Sequence, residues 1–309
     1  MKKLLKIAVA VAAVVALSAV PADAHPTRLQ VHRFASANPG SVNSYTVRGP
    51  YGSVVIDTLR TLSDAHAAVA RTHGVQAIVL THAHPDHVGG GEVFRAAYPN
   101  APYHATTSAI TTIRTDPLGF YALTHQQLGD DYPARPLVPD RAVHGGRPLT
   151  VAGLTFQTAE FAAAETSDQI VYYHPSSQSI FVGDLVDNAM TPALLEGHTC
   201  GWLKALDQLR QRFPEAHTAY PGHGAPADLQ TLIRDQRTYL LRFRGLVGLA
   251  VRTQSPGGST VTAGEEGRIV DQVNTWYPGY QPVASIPTLM HVNVTAVAGE
   301  LLSEKHGCR

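Results

Sequence analysis

The stretch Val75-Gln76-Ala77-Ile78-Val79-Leu80-Thr81-His82-Ala83-His84-Pro85-Asp86-His87-Val88-Gly89-Gly90-Gly91 decides the reading of this chain. Its first six residues form an apolar run, the pattern of a buried strand. The histidines follow directly, so the chemistry sits where a strand ends. On an extended segment His82 and His84 point the same way, because side chains two apart share a face. Two neutral imidazoles at that spacing can hold one zinc ion. Asp86 and His87 lie one turn further on, where Pro85 begins a helix expected over Asp86 to Ala97. They face elsewhere and can hold a second ion. One histidine in a polar loop would carry no such message; three histidines and an aspartate between a strand and three glycines do.

Upstream, Gln30–Phe34, Ser44–Val47 and Ser53–Thr58 read as short strands parted by turns such as Asn38-Pro39-Gly40. Leu62 to His73 has helical spacing, with Ser63 or Asp64 as its cap. The N-terminus has a different character. Lys2, Lys3 and Lys6 precede the apolar stretch Ile7–Val20, and Ala22-Asp23-Ala24 follows as a small-x-small site. That layout predicts a signal peptide over residues 1–24, cleaved after Ala24, and a secreted or periplasmic protein. The apolar stretch is short against the roughly 20 residues of a membrane span, so no stable membrane anchor is expected.

Downstream, residues 99–148 are rich in Pro, Gly and Asp and read as a lid or substrate loop, with Thr106–Thr115 and Tyr121–Leu128 helical in part. A second β-rich half follows in Leu149–Val151, Leu154–Thr158, Ile170–His174 and Ser179–Val182, with Pro175-Ser176-Ser177-Gln178 as a hairpin connection. Trp202–Phe213 is an amphipathic helix that turns Leu203, Leu206 and Leu209 inward, and Trp202 reads as one of its core residues. Thr218–Tyr220 is a short strand. The chain then turns helical over Pro226–Val251, Glu265–Trp276 and Pro287–Glu304. Arg234, Arg237, Arg242 and Arg244 on the first of these read as a solvated face.

Lys plus Arg and Asp plus Glu number 24 each, so no basic field advertises nucleic acid and a small-molecule substrate is expected. Cys200 and Cys308 are the two cysteines. Outside the cytoplasm they form one disulfide or remain two free thiols; spacing alone does not choose.

The histidine run resembles the signature of the metallo-β-lactamase superfamily. Other landmarks follow in order. Asn43-Ser44-Tyr45 and Val54-Val55-Ile56-Asp57-Thr58 resemble that family's N-terminal strands. Phe181-Val182-Gly183-Asp184-Leu185 resembles its Gly-Asp-Leu segment, and Tyr220-Pro221-Gly222-His223-Gly224 its final histidine motif. The resemblance spans about residues 40–224. It implies an α/β fold, the αβ/βα four-layer sandwich of the metallo-β-lactamase type, with a dinuclear site at one edge between the sheets. It divides the chain into a catalytic domain over 25–224 and a helical C-terminal extension over 225–309 packed on it. It also implies ligands: His82 and His84 for a first metal, Asp86, His87 and His223 for a second, and Asp184 as the bridge.

One position departs from the family. A third first-site histidine is usual there, and this chain has Ala164-Glu165-Thr166-Ser167-Asp168-Gln169 instead. Glu165 matches the histidine's register ahead of the strand at Ile170, and Glu160 fits it less well. Carboxylate oxygen binds zinc at about the imidazole distance, so Glu165 can complete the first site. If it turns away, that site is weak or empty. The added anion makes a weaker Lewis acid, and an oxygen-richer set tolerates manganese or iron better than imidazoles alone. Asn188 and His198 lie near Asp184 in sequence and are candidates for the substrate cleft.

This donor set suits metal-assisted hydrolysis by hydroxide held on a zinc pair, with Asp86 and Asp184 closest to the chemistry. An exported hydrolase acting on a lactone, ester or other small acyl compound is the expected function. A β-lactamase, a phosphodiesterase or sulfate-ester hydrolase, and a non-catalytic secreted metal or ligand binder are the alternatives. The fold alone does not choose between them.

Overall fold

The computed structural model describes residues 29–253, 261–304 and 308. The predicted signal peptide lies outside the described residues. The first half of the chain builds one six-stranded sheet from β1 (Gln30–Ala35), β2 (Asn43–Gly49), β3 (Gly52–Ile56), β4 (Val75–Val79), β5 (Tyr103–Thr106) and β6 (Arg141–Val143). They lie side by side in that order. β1 to β3 form an antiparallel meander, and β3 to β6 run parallel. The second half supplies β7 (Leu149–Val151), β8 (Leu154–Phe161), β9 (Gln169–His174), β10 (Ser179–Gly183), the short β11 (Met190–Thr191), β12 (Thr218–Pro221) and β13 (Ala227–Asp228). Here the order across the sheet is β13-β12-β10-β9-β8-β7. A last strand, β14 (Gln281–Pro282), pairs in parallel with β11.

Both faces of the central strands are buried, which is why they read as continuous apolar runs. Val54, Ile56, Ala77 and Val79 meet Phe156, Ile170, Tyr172 and Phe181 in the core between the sheets. The alternate residues Val55 and Ile78 face a helix layer of α1 (Leu62–Val69), α2 (Pro85–Val88), α3 (Gly91–Ala97), α4 (Thr107–Thr115) and α5 (Phe120–Leu128). On the far side Val171, Ile180, Val182 and Ala219 pack against α6 (Thr199–Arg212), α7 (Leu229–Thr253), α8 (Ala263–Trp276) and α9 (Leu289–Ser303). The layers therefore run αβ/βα. Each fully buried large apolar side chain stabilises this arrangement by roughly 1.5–3 kcal/mol. Among the described residues no helix is long and apolar enough to cross a membrane.

Several expectations shift in detail. The cap of α1 is Thr61, whose hydroxyl accepts from the Asp64 amide, rather than Ser63 or Asp64. That helix stops at Val69, short of His73. The helix expected over Asp86–Ala97 is two helices, broken at Gly89-Gly90. The break is steric in origin: a Cβ on Gly90 would lie 2.2 Å from the Thr58 carbonyl oxygen. That contact draws the segment after β3 against the histidine run, and the Thr58 amide donates to the His87 carbonyl at 2.8 Å. Within 99–148 the two helices are accompanied by β5 and β6, which the sequence reading treated as irregular.

The C-terminal helices share the second sheet's hydrophobic cluster. Arg244 is not on a solvated face. It is buried against Glu300 and Glu304, at 3.1 and 2.9 Å, and donates to Thr199. The pattern on α7 misleads because α9, more than fifty residues later, brings the two carboxylates. Glu300 also accepts from the amides of Thr199 and Cys200, satisfying donors at the start of α6. Cys200 and Cys308 form a disulfide beside this network.

Candidate metal centre

The sheet edges place the polar residues. His82 and His84 follow β4, and Asp86 and His87 open α2. Glu165 sits in the β8–β9 connection, Asp184 follows β10, and His223 follows β12. All of these side chains converge at one end of the two sheets. A Cβ on Gly222 would meet an Asp184 carboxylate oxygen at 1.9 Å, so only glycine lets the His223 loop come this close.

Two groups of donors result. His82 Nε2 and His84 Nδ1 stand 3.7 and 2.9 Å from the Glu165 oxygens, and the three ligand atoms lie within 4.8 Å of one another. Asp86, His87 and His223 form the second group, with His223 Nε2 3.1 Å from Asp86 Oδ2. Asp184 faces both: His82, His87 and Asp184 form a further group within the same limit. Its oxygens lie 3.2 Å from His87 Nε2 and 3.2 Å from His223 Nε2.

Behind the centre, the second ring nitrogen of each histidine is already engaged. His223 Nδ1 donates to the Gly40 carbonyl at 2.9 Å, since a carbonyl only accepts. His87 Nδ1 donates to Asp57 at 2.9 Å. Thr81 Oγ1 donates to Asp57 at 2.8 Å, so it accepts from His82 Nδ1 at 3.0 Å. His84 Nε2 donates to Glu196 at 3.2 Å. Each ring thus turns its other nitrogen inward, the orientation that outer partners impose on metal-binding histidines.

The inward atoms test the fit. His82 Nε2, His87 Nε2, His223 Nε2, Asp86 Oδ2, Asp184 Oδ1 and both Glu165 oxygens are buried without an aligned hydrogen bond. Even the short His84–Glu165 approach leaves the carboxylate unsatisfied. Groups left so would cost roughly 1–3 kcal/mol each, more where charged, and they all point at the same space. Charge agrees with geometry. Burial opposes charging of His84, His87 and His223, yet the neighbouring carboxylates hold all three well above the usual imidazole range. Burial and His87 hold His82 well below it. Burial pushes the Glu165 carboxyl up to about 7, against the pull of His84. The cluster is short of positive charge, and divalent metal would supply it.

The surroundings are less as expected. Asn188 does not line the cleft: its amide donates to the Ala225 carbonyl at 2.8 Å, bracing the His223 loop. His198, at the start of α6 and with its side chain one-third exposed (33%), reaches the centre only through Glu196, 3.7 Å away. Asp57 and Glu196 are the residues the sequence reading missed. Asp57 had a signal, an acidic residue directly after an apolar strand, as the histidines stand after β4. Glu196 had none. A cleft of about 290 Å³ opens from the centre, with His84, Asp86, Glu165 and Asp184 on its floor and Phe120, Leu123, Leu195 and Val283 among its walls. A larger hollow of about 870 Å³, beside His174 and Arg212, holds none of the converging donors.

The chain is similar to known proteins. The metallo-beta-lactamase superfamily model matches residues 37–223. A hydroxyacylglutathione hydrolase of Synechococcus sp. (strain JA-3-3Ab) is 28% identical over 200 residues, 62% of this chain and 67% of the relative. An atrochrysone carboxyl ACP thioesterase of Cryptosporiopsis sp. (strain 8999) is 25% identical over 218 residues, 67% of this chain and 58% of the relative. A metallo-beta-lactamase family protein from Thermus thermophilus superposes with a TM-score of 0.62 at 18% identity, over 89% of this chain and 92% of that one. At that identity the likeness concerns the fold alone. With the family model spanning most of both sheets and the donors of all its motifs meeting at one edge, the chain belongs to the metallo-beta-lactamase superfamily.

Proposed function

We propose that the protein is an exported, metal-dependent hydrolase of a lactone, ester or other small acyl compound. The observation that carries this reading is the convergence of seven metal-binding side chains, six of them with inward atoms left unpartnered, and with the outer nitrogen of every histidine already occupied. His82, His84 and Glu165 hold a first divalent ion in this reading, Asp86, His87 and His223 a second, and Asp184 serves both. Zinc suits the imidazoles, and the extra carboxylate admits manganese or iron. Such ions supply Lewis acidity and ready ionisation of water.

The chain's own residues do the rest. Asp86 turns Oδ2 to the centre, 3.1 Å from His223 Nε2, and its other oxygen, Oδ1, would accept a proton from the attacking water. Asp57, Thr81, Glu196 and the Gly40 carbonyl keep the four rings in place. The cleft walls limit water around the scissile bond. The named activities of the two curated relatives, both hydrolyses of acyl compounds, favour an acyl substrate.

The test is metal analysis followed by assay. The purified protein is expected to hold two ions and to hydrolyse members of an ester and lactone panel, with activity lost to a chelator. Two ions and no turnover on ester, lactone, β-lactam, phosphodiester or sulfate-ester panels, with zinc or with manganese, would make it a binder. Export has a separate check: the mature N-terminus is expected at His25.

A further inference from the structure

The cleft has two walls from distant parts of the chain, and both are apolar. α5 contributes Phe120 and Leu123. The C-terminal extension contributes Val283, Ile286 and Val292. Leu123 and Val292 are 50% and 43% exposed, large apolar side chains left to solvent at the rim. The Phe120 ring lies 6.0 Å from the His84 ring, so the apolar wall adjoins the metal-binding floor directly.

The C-terminal wall is fixed. Arg60 donates to the Ala284 carbonyl, and Ser285 Oγ to the Pro39 carbonyl. β14 pairs with β11 just before it. Ala284 and Ser285 have φ of 52° and 53°, a left-handed backbone that costs about 1–2 kcal/mol per residue outside glycine. Surroundings that over-determine such a conformation keep a wall where it is. Arg60, the cation of the cleft lining, is committed to this stitch and to Gln127. The walls therefore offer shape and apolar surface and little polar recognition.

We infer that the cleft seats an apolar acyl part of the substrate, a medium-length alkyl chain or an apolar ring, between α5 and residues 283–292. Its volume, near the low end of the roughly 300–1,000 Å³ of small-molecule pockets, limits the ligand to a small one. Only the placement of the scissile carbonyl over His84 and Asp86 rests on the hydrolase reading; the chain site stands on the walls.

The experiment separates the two. Binding of neutral 1-alkanols from butanol to octanol to the full-length protein is followed by ligand-observed NMR. Affinity is expected to rise about threefold to fourfold per methylene. Leu123→Asp and Val292→Asp, both at half-exposed positions, are each expected to weaken octanol at least tenfold. Leu241→Asp, at an exposed leucine on α7 away from the cleft, is expected to change nothing. A flat alkanol series, or one that survives in both cleft variants, overturns the proposal. Acetohydroxamate, a chelating head without a chain, is titrated into zinc-reconstituted protein as a separate arm. Its failure to bind would count against the metal centre and leave the alkanol result standing.

Discussion

His87 and His223 are held from behind by a buried aspartate and the Gly40 carbonyl, whereas His82 and His84 rely on Thr81 and on Glu196. Asp57 is itself fixed, accepting from the Thr81 amide and hydroxyl at 2.8 Å each. On the other side His84 depends on Glu196, which comes from a loop beside the cleft. The Glu165 half also carries two carboxylates close to one imidazole. The comparison teaches that one half is set by geometry and the other balanced by charge. A metal held by Asp86, His87 and His223 would find a preformed cage. A metal held by His82, His84 and Glu165 would also relieve the repulsion from Asp184 and Glu196 that adds to burial in raising the Glu165 pKa.

Removing His223 is expected to have the largest effect, because it leaves Asp86 and Asp184 without the imidazole between them. His223→Ala should lose one equivalent of metal and about a thousandfold in turnover, several kcal/mol of Lewis-acid stabilisation. Elemental analysis and steady-state kinetics check this. Asp57→Ala should keep all ligands yet loosen His87, lowering metal affinity by about 10–100-fold in a chelator competition. Glu196→Gln should act on the other half and sit at the lower end of that range, about tenfold, because the amide still accepts from His84. If Glu196→Gln exceeded Asp57→Ala, the distinction between a caged and a charge-balanced half would fail.

The smallest effect is one of stability. Asp187 is buried and neither of its oxygens has a hydrogen-bond partner. Burial and the Asp184 charge raise its pKa well above the carboxylate range. A raised folded-state pKa means that its ionisation costs stability as pH rises above the unfolded value. Asp187→Asn should therefore stabilise the metal-free protein at pH 8, by about 1–3 kcal/mol, with the gain vanishing at acid pH. Urea unfolding at the two pH values measures it.

Much of the fold is legible from residues 75–97, where an apolar strand, a ligand-bearing turn and a helical stretch follow in sequence, although the break at Gly89-Gly90 is not. Other parts are not. β5 and β6 have four and three residues, too few to display alternation, and they are strands because β4 offers an edge to β5 and β5 offers one to β6. Arg244 resembles its exposed neighbours until α9 brings Glu300 and Glu304 to it. The motif residues of the centre are readable because they follow strand ends in short runs punctuated by glycine or proline. Glu165 is readable only by register, as a gap in a pattern. Glu196 lies in a loop without periodicity, and its role follows from the fold that carries it to His84.

The central claim is that Glu165 takes a histidine's place as a ligand of the first ion. Metal content of Glu165→Ala at saturating zinc, after equilibrium dialysis, tests it most directly, with Glu165→His as the restoring variant. The account predicts one equivalent for Glu165→Ala and two for both Glu165→His and the unaltered protein. Two equivalents in Glu165→Ala, bound as tightly as in the unaltered protein, would contradict it.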